Sequence, residues 1–330
     1  MQISIDLGEN QYDPMEFVEA TQLADRLGFT RIWIGDHFMP WMDSGNRSSF
    51  AWSVASVCLD RTSKVQVSPY VTVPIGARYH PAIIAQAVAT LDNMYPGRSL
   101  LCVGSGEAMN EANFLVNGWP PWAERMDRLV EGIDLIRNLL QKTEYFDYNG
   151  KYFKMNQVKL FTRPKTNLSI YVSAIGPKAA FLAGKSGDNL ITLASNNSME
   201  RIQEVILPAF DKGQKEAGKD PARAEKIVSL FYTFEERDAF VKKIRETGGM
   251  PHAAKNAFNE PDPRRLEENG KAMNTERLIN STIFCKSWDD LADVIDKFGR
   301  LGFTGVSLDT GANKEKINDL AKNLLGQYQK

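Results

Sequence analysis

Short apolar runs alternate with amphipathic stretches along all 330 residues, and this alternation constrains the fold more than any other feature. The apolar runs predict eight strands, at 2–7, 31–35, 65–71, 99–103, 169–174, 189–194, 227–232 and 304–309. The amphipathic stretches predict helices at 14–27, 81–94, 120–141, 177–186, 198–217, 287–301 and 313–328. Parallel strands need a crossover element between them, so this repetition indicates parallel βα units. Eight units favour a closed (β/α)8 TIM barrel over an open doubly wound sheet.

Two stretches interrupt the alternation. Residues 145–160 carry Asn-Gly between aromatic flanks, which predicts a β-hairpin. Residues 235–281 contain charges, Gly-Gly and a proline-rich segment, and they are too long for a simple βα loop. We therefore expect a single barrel domain over 1–330 with a helical insertion at about 235–281. Insertions that follow barrel strands lie at the carboxyl-terminal face, where substrates bind.

Charge and cysteine usage exclude several classes of protein. Forty Lys and Arg against 41 Asp and Glu give a net charge of −1, so the positive field that nucleic acid requires is missing. No apolar run is long enough to span a bilayer, and the N-terminal sequence lacks a signal-peptide pattern, which predicts a cytoplasmic protein without a membrane partner. Three cysteines and three histidines are scattered without metal-ligand spacing. Any redox chemistry therefore implies an organic cofactor rather than a metal.

The polar residues that follow the predicted strands are the candidates for chemistry, because catalytic groups of a barrel gather at the carboxyl ends of its strands. His37 follows the second strand and Glu107 the fourth, and both side chains can act as general acid or base. His37 alone also fits a hydrogen-bonded structural histidine, and Glu107 a salt bridge. Trp41 fits either stacking on a flat cofactor or core packing. Glu111, one helical turn after Glu107, is interpreted mainly as a structural ion-pair partner.

Two glycine-containing motifs suggest ligand binding with different strength. Gly104 and Gly106 resemble the start of a dinucleotide-binding G-x-G-x-x-G motif, but the third glycine is replaced by Met109 and the βαβ context is missing. We reject that interpretation. Gly-Pro-Lys at 176–178 predicts a helix start with proline at the first position. Free amides there suit a phosphate or carboxylate, and a simple helix cap is the alternative.

Several longer motifs carry a family resemblance. GDHFMPW at 35–41, the run from Arg78 to Arg98, VGSGEAMNE at 103–111 and IGPKAAFLAG at 175–184 resemble the luciferase-like barrel superfamily. More narrowly, they are similar to its branch of coenzyme F420 oxidoreductases, which includes glucose-6-phosphate dehydrogenases and secondary alcohol dehydrogenases. F420 is an 8-hydroxy-5-deazaflavin. The likeness covers residues 1 to about 230 and returns at 282–330, and the first motif together with the third is specific to this branch.

The resemblance implies a dehydrogenase that transfers a hydride from a substrate alcohol or sugar to C5 of the deazaflavin. His37 then takes the hydroxyl proton, Glu107 handles the proton at the ring nitrogen, and Trp41 flanks the reacting carbon; the two proton roles can also be reversed. The cofactor contacts carried over by position are Asp36, Val73, Ser105, Gly106, Asn110, Ile175, Gly176, Lys178 and Ala179. The resemblance further implies a cis peptide bond at Tyr70–Val71 and a homodimer.

The sequence departs from this branch at positions that bear on the substrate. An acidic residue usual near the first strand is Asn10 here, next to Glu9. Three cations that bind phosphate in the sugar-phosphate enzymes align with Asn196, Glu268 and Ser281. These residues cannot replace cations around a phosphate dianion. We therefore expect an uncharged alcohol or another hydroxylated substrate rather than glucose 6-phosphate.

Other interpretations stay open at the level of the sequence. Arg264, Arg265 and Lys271 in the insertion offer material for a different anion site. The same fold also serves luciferase-like monooxygenases that use FMN and oxygen. An alternative of another class is a deazaflavin carrier or sensor with little turnover, to which the substitution at position 10 points and against which the intact His37 and Glu107 argue.

Overall fold

A computed structural model of the chain describes residues 1–8, 12–45, 47–196, 198–247 and 249–328, and within them eight parallel strands close into a barrel. We label these strands β1 to β8; they are Gln2–Asp6, Arg31–Gly35, Gln66–Tyr70, Leu101–Val103, Ile170–Ser173, Asn189–Ala194, Lys226–Leu230 and Gly305–Asp309. The order along the sheet is β3-β2-β1-β8-β7-β6-β5-β4. Bridges Val67–Ser99 and Thr72–Val103 join β3 to β4. The predicted TIM barrel is confirmed.

Helices surround the strands. The main ones are Pro14–Leu27, Ala51–Asp60, Pro81–Met94, Trp122–Gln141, Pro177–Ser186, Leu207–Glu216, Trp288–Arg300 and Lys314–Leu320. Short helical segments extend two of them, at Met199–Arg201, Ile202–Ile206, Ala321–Leu325 and Gly326–Tyr328. None of the helices in the described ranges is both long enough and apolar enough to cross a membrane.

The helix Ala51–Asp60 was not predicted from the sequence. Its sequence, AWSVASVCLD, is apolar on most sides, so no polar face reveals a helical period. Ala51, Trp52, Val54, Ala55, Cys58 and Leu59 are buried against the barrel. A helix buried over so much of its surface needs no polar stripe.

Side chains fill the inside of the barrel and close its amino-terminal end. Trp33, Cys102, Tyr171, Ile191 and Ile227 form the interior cluster. Below them, Glu225 accepts hydrogen bonds from Arg31 Nη1 at 2.5 Å and from the Tyr171 hydroxyl at 2.6 Å. The barrel is therefore packed and has no central pore. Catalytic sites of such barrels lie at the carboxyl-terminal end of the strands.

Two excursions leave the barrel where the sequence predicts them. The hairpin pairs Phe146–Asn149 with Lys154–Val158 in antiparallel fashion. The insertion contains the helices Arg237–Glu246, Pro263–Lys271 and Thr275–Asn280 and the 3-10 turns Pro251–Ala253 and Ala257–Asn259. Strands Tyr232–Thr233 and Ile283–Phe284 pair in parallel at the base of the insertion. These elements share a second apolar cluster with the loops after β2 and β4, and so the insertion lies over the carboxyl-terminal face.

Candidate active site

The loops after β2 and β4 bring a histidine and a glutamate together at the carboxyl-terminal face. His37 Nε2 lies 3.0 Å from Glu107 Oε2, although the two residues are 70 positions apart in the sequence. Their side chains are 9% and 17% exposed, so a ligand in the mouth of the barrel can reach both. A proton on either group is shared across this contact, which suits acid–base chemistry. The structure thus joins the two residues that the sequence marks as catalytic candidates.

Asn110 ties the two loops to each other. Its side-chain amide donates to Glu107 Oε2 at 2.9 Å. Its carbonyl oxygen accepts the backbone N–H groups of Phe38 at 2.9 Å and Met39 at 3.2 Å. The one-turn helix Ala108–Glu111 places Asn110 one turn after Glu107, and so the amide orients the carboxylate toward His37.

Trp41 and the insertion form an aromatic wall beside the pair. The Trp41 ring meets His37 edge to face at 5.9 Å between centroids, and it is 6% exposed. On its other side it meets His252 and Phe258, each at 6.1 Å. His252 also stacks on Phe231 at 4.9 Å. Sequence analysis missed His252 because it lies in the short 3-10 turn Pro251–Ala253, whose sequence has no helical period.

Both carboxylate oxygens of Asp36 contact other side chains of the protein. Its carboxylate accepts the Thr72 hydroxyl at 3.1 Å and the Tyr79 hydroxyl at 2.9 Å, and lies 3.1 Å from the Arg78 guanidinium. Burial raises the pKa of Asp36, against the opposing charge of Arg78. This carboxylate joins the end of β2 to the loop after β3, and a cofactor contact from its side chain stays a prediction.

Glu111 forms the structural ion pair that was expected of it. Its Oε1 lies 3.6 Å from Arg78 Nε, and its Oε2 accepts the Arg78 backbone N–H at 3.0 Å. The side chain has no exposed surface. Burial raises the pKa of Glu111 to about 7, although Arg78 opposes this and the charges of Asp36 and Glu107 add to it.

The glycines after β4 serve packing between two loops. A Cβ on Gly104 would lie 2.9 Å from a Val71 methyl group, and one on Gly106 would lie 2.8 Å from Val73 Cγ1. Gly106 also has φ +78°, which disfavours any other residue. Ser105 and Gly106 remain partly exposed at the mouth, while Val73 is buried. The peptide bond Tyr70–Val71 is cis, as the resemblance implies.

The helix that begins at Pro177 offers an open amino terminus near the mouth. Proline occupies its first position, as predicted, and within the described part of the chain no side chain caps it. A Cβ on Gly176 would meet no atom within 4 Å, so the space in front of this helix end is open. Ile175 and Lys178 are exposed and Ala179 is partly exposed. Such an end suits an anionic group.

The residues expected to influence substrate choice are spread over the insertion and its contacts. Asn196 donates its backbone N–H to the Asn280 carbonyl at 3.2 Å. The Ser281 hydroxyl donates to the Leu278 carbonyl at 2.7 Å, and Glu268 is exposed. Arg264 pairs with Asp262 at 2.8 Å and Lys271 with Glu267 at 2.6 Å; Arg265 is exposed. Glu9 and Asn10 lie outside the described residues. Among the described ones, no three His, Cys, Asp or Glu side chains are grouped to hold a metal.

Comparisons with known proteins agree with this fold and identify the family. Residues 1–305 match the family model of luciferase-like monooxygenases. An F420-dependent glucose-6-phosphate dehydrogenase of Segniliparus rotundus is 33% identical over 307 residues, 92% of this chain and 91% of that one. The solved structure of an F420-dependent secondary alcohol dehydrogenase with an F420-acetone adduct is 31% identical, covers 98% of both chains and superposes with a TM-score of 0.89. A coenzyme F420-dependent tetrahydromethanopterin reductase of Methanopyrus kandleri shares the fold, with a TM-score of 0.76 at 18% identity.

Proposed function

Because this chain belongs to the luciferase-like monooxygenase family, we propose that it is a coenzyme F420-dependent dehydrogenase that oxidises the carbinol carbon of an alcohol or sugar. The observation that carries the proposal is the 3.0 Å contact between His37 and Glu107 beside Trp41, at the mouth of a filled barrel. Relatives named as F420-dependent dehydrogenases, over nine-tenths of the chain, support it. A monooxygenase that uses FMN is the alternative within the same family.

The residues at the mouth fit a deazaflavin with an anionic tail. We propose that Val73, Ser105, Gly106, Ile175 and Ala179 contact the cofactor, since most of them present partly exposed surface near the reacting pair. The open helix start at Gly176, with the exposed Lys178 after it, suits a phosphate. Asn110 and Asp36 contribute by fixing the loops that hold this surface. When bound, F420 supplies the C5 atom that accepts the hydride of the substrate.

The protein's own residues manage the protons of the reaction. We propose that His37 accepts the hydroxyl proton of the substrate at Nε2, the atom that faces Glu107. Glu107 takes up and passes on a proton at Oε2, where the Asn110 amide keeps the carboxylate in place. Because both groups act across one 3.0 Å contact, a proton received by one is stabilised by the charge of the other.

The aromatic wall supports an uncharged substrate. Trp41, His252 and Phe258 enclose the reacting pair on the insertion side and limit the access of water. The nearby cations Arg264 and Lys271 already pair with acidic residues of the insertion. A phosphate dianion would therefore have to displace these carboxylates. We propose an uncharged alcohol or another hydroxylated compound instead of glucose 6-phosphate, and a homodimer as the assembly.

Titration of the purified protein, stripped of cofactor, with oxidised F420 and in parallel with FMN tests this proposal. We expect F420 to bind and FMN to bind far more weakly. Binding of FMN without binding of F420 would contradict the dehydrogenase and favour the monooxygenase. Replacing His37 by alanine separates an enzyme from a carrier or sensor, because a sensor would keep all of its function. Light scattering tests the dimer.

A further inference from the structure

A fully buried carboxylate lies directly behind the reacting pair and has no task in the proposed reaction. Glu111 ends the one-turn helix that begins after Glu107, and its backbone N–H donates to the Glu107 carbonyl at 3.1 Å. Its side chain has no exposed surface. The Cγ atom lies 3.1 Å from the position that a Cβ on Gly106 would take, so this side chain packs under the same loop that carries Glu107. Glu111 is thus built into the support of the catalytic glutamate.

The charges in this cluster do not balance without protons. The charged and titratable groups that act on the Glu111 carboxyl are Asp36 from the loop after β2, Arg78 and Tyr79 from the loop after β3, and Glu107 from its own turn, and His37 in turn acts on Asp36. Together with Glu111 itself, the cluster contains three carboxylates, those of Asp36, Glu107 and Glu111. Among the described residues, Arg78 is its one fixed cation. Uncompensated buried charge is costly, so two protons are needed for neutrality. His37 can hold one of them.

The Arg78 guanidinium connects the carboxylates. Its Nη2 lies 3.1 Å from Asp36 Oδ1, and its Nε lies 3.6 Å from Glu111 Oε1. The Arg78 side chain is 8% exposed, and the two carboxylate side chains have no exposed surface, so water screens these charges little. A change in the charge of Glu111 is therefore felt at Asp36, which adjoins His37 in the chain.

We propose that Glu111 is a positioning residue for the His37–Glu107 pair: it holds the second proton of the cluster, and the presence of that proton sets how tightly His37 holds its own. Burial raises the pKa of Glu111 to about 7, against the opposing charge of Arg78, and therefore this proton leaves in the neutral range. The inference rests on the proposed function, in which His37 and Glu107 handle the protons of the reaction.

The variant Glu111→Gln removes the charge and keeps the shape. Its side-chain oxygen can still accept the Arg78 backbone N–H that Glu111 Oε2 accepts now. Above the pH at which Glu111 ionises, only the wild type has the additional negative charge that favours the imidazolium of His37. We expect the proton-binding constant of His37 to be about threefold lower in Glu111→Gln than in the wild type, because the lost charge is separated from His37 by Asp36.

The test is an NMR titration of the cofactor-free protein with 13C-labelled glutamate and histidine side chains. The wild-type protein alone already tests the inference. One glutamate carboxyl should titrate near pH 7, and the chemical shift of His37 should change with pH in two phases. Three histidines make assignment simple, since His37→Asn removes one signal. Glu144→Gln is the matched control at an exposed position, and it should change neither curve.

A Glu111 carboxyl that titrates below pH 5 in the wild type, or an unchanged His37 curve in Glu111→Gln, would overturn the inference. In the enzyme with F420 bound, kcat/KM should rise with pH as His37 loses its proton. In Glu111→Gln this rise should move to lower pH by the same amount as the His37 titration. Because the titration needs no cofactor, a failure of this inference can be told apart from a failure of the proposed function. Two phases in a protein that does not bind F420 would contradict the dehydrogenase and support the role of Glu111.

Discussion

Asn110 is the residue that makes one site from two loops. It orients Glu107 with its amide and holds the backbone after His37 with its carbonyl oxygen. A buried side-chain amide with all of these bonds formed fixes geometry at little cost, whereas a hydrophobic residue would leave two backbone N–H groups without this acceptor. The precision of the 3.0 Å contact therefore depends on a residue that handles no proton itself.

Replacement of His37 by alanine should remove the acid–base step. We expect kcat for F420 reduction to fall by about 10²- to 10⁴-fold, because a positioned general base contributes that much. Binding of F420 should change far less. The assay is steady-state turnover with saturating cofactor.

The matched control for this prediction is His80→Asn. The His80 side chain caps the helix Pro81–Met94 by accepting the Ala82 N–H at 3.2 Å, and asparagine is also a good cap. Turnover of this variant should remain within about twofold of the wild type, as for a capping substitution that preserves the helix. Equal losses in both variants would show that His37 acts through stability alone.

The proximity of the candidate residues His37 and Glu107 could be predicted because each lies within four residues of the end of an apolar strand. In a parallel barrel the carboxyl ends of all strands converge at one face. The region of His37, Glu107 and Trp41 can therefore be predicted without knowing how the intervening loops fold. His252 and the Glu111–Arg78 network could not be placed this way. Their positions depend on how the turn Pro251–Ala253 and the loop after β3 fold back onto the barrel, and neither segment has a period that the sequence reveals.

At the scale of elements, the loop after β4 must approach the loop after β3 closely. Gly106 permits this approach in two ways. Its backbone has φ +78°, and Val73 and Glu111 occupy the space that a side chain at this position would need. The same contact also completes the barrel, because β3 and β4 meet only through isolated bridges in the described structure. Packing of the loop and closure of the barrel are therefore linked.

Gly106→Ala should destabilise the protein more than a glycine substitution with the same backbone but open surroundings. Gly218 has φ +71° and no atom within 4 Å of the position that a Cβ would take, so Gly218→Ala measures the backbone cost alone, about 1–2 kcal/mol. Gly106→Ala should cost about 1–3 kcal/mol more, because Val73 and Glu111 must move. Chemical denaturation of both variants measures the difference, and equal losses would contradict the packing argument.

The elements that were missed share a physical cause. The helix Ala51–Asp60 is buried over most of its surface, so its polar pattern is too weak to show a period. The insertion was predicted as helical, but the bounds of its short helices were not, because their apolar cluster forms across segments distant in sequence. Pattern reasoning succeeds for elements with a polar solvent face and is weak where an exposed position is apolar, as at Val57, or where the partners are many.

At the scale of the whole molecule, a stabilising network and the candidate active site lie at opposite ends of the barrel. The amino-terminal end is closed by Arg31, Glu225 and Tyr171, while the carboxyl-terminal end carries the His37–Glu107 contact. Burial raises the pKa of Glu225, but the hydrogen bonds and charge of Arg31 and the Tyr171 hydroxyl outweigh it, and the pKa is lowered. Ionised Glu225 therefore stabilises the folded state.

This stabilisation should be present above the pKa of the unfolded chain, about 4.3, and be lost as the pH falls through the lower value of the folded state. Glu225→Gln should lower stability at pH 7 by about 1–2 kcal/mol, a figure reduced because the carboxylate is 36% exposed. Between pH 5 and 3 the variant should lose less stability than the wild type. Parallel pH curves of Tm for the two proteins would contradict this role.

The most direct test of the central claim is the loss of oxidised F420 when the wild-type protein is given substrates. The panel should contain secondary alcohols, glucose and glucose 6-phosphate, each with wild type and with His37→Ala. We predict reduction of F420 by uncharged hydroxylated compounds, with strong dependence on His37 and little or no turnover of glucose 6-phosphate. Absence of F420 reduction with every compound would contradict the dehydrogenase, and turnover of glucose 6-phosphate alone would contradict the proposed substrate class.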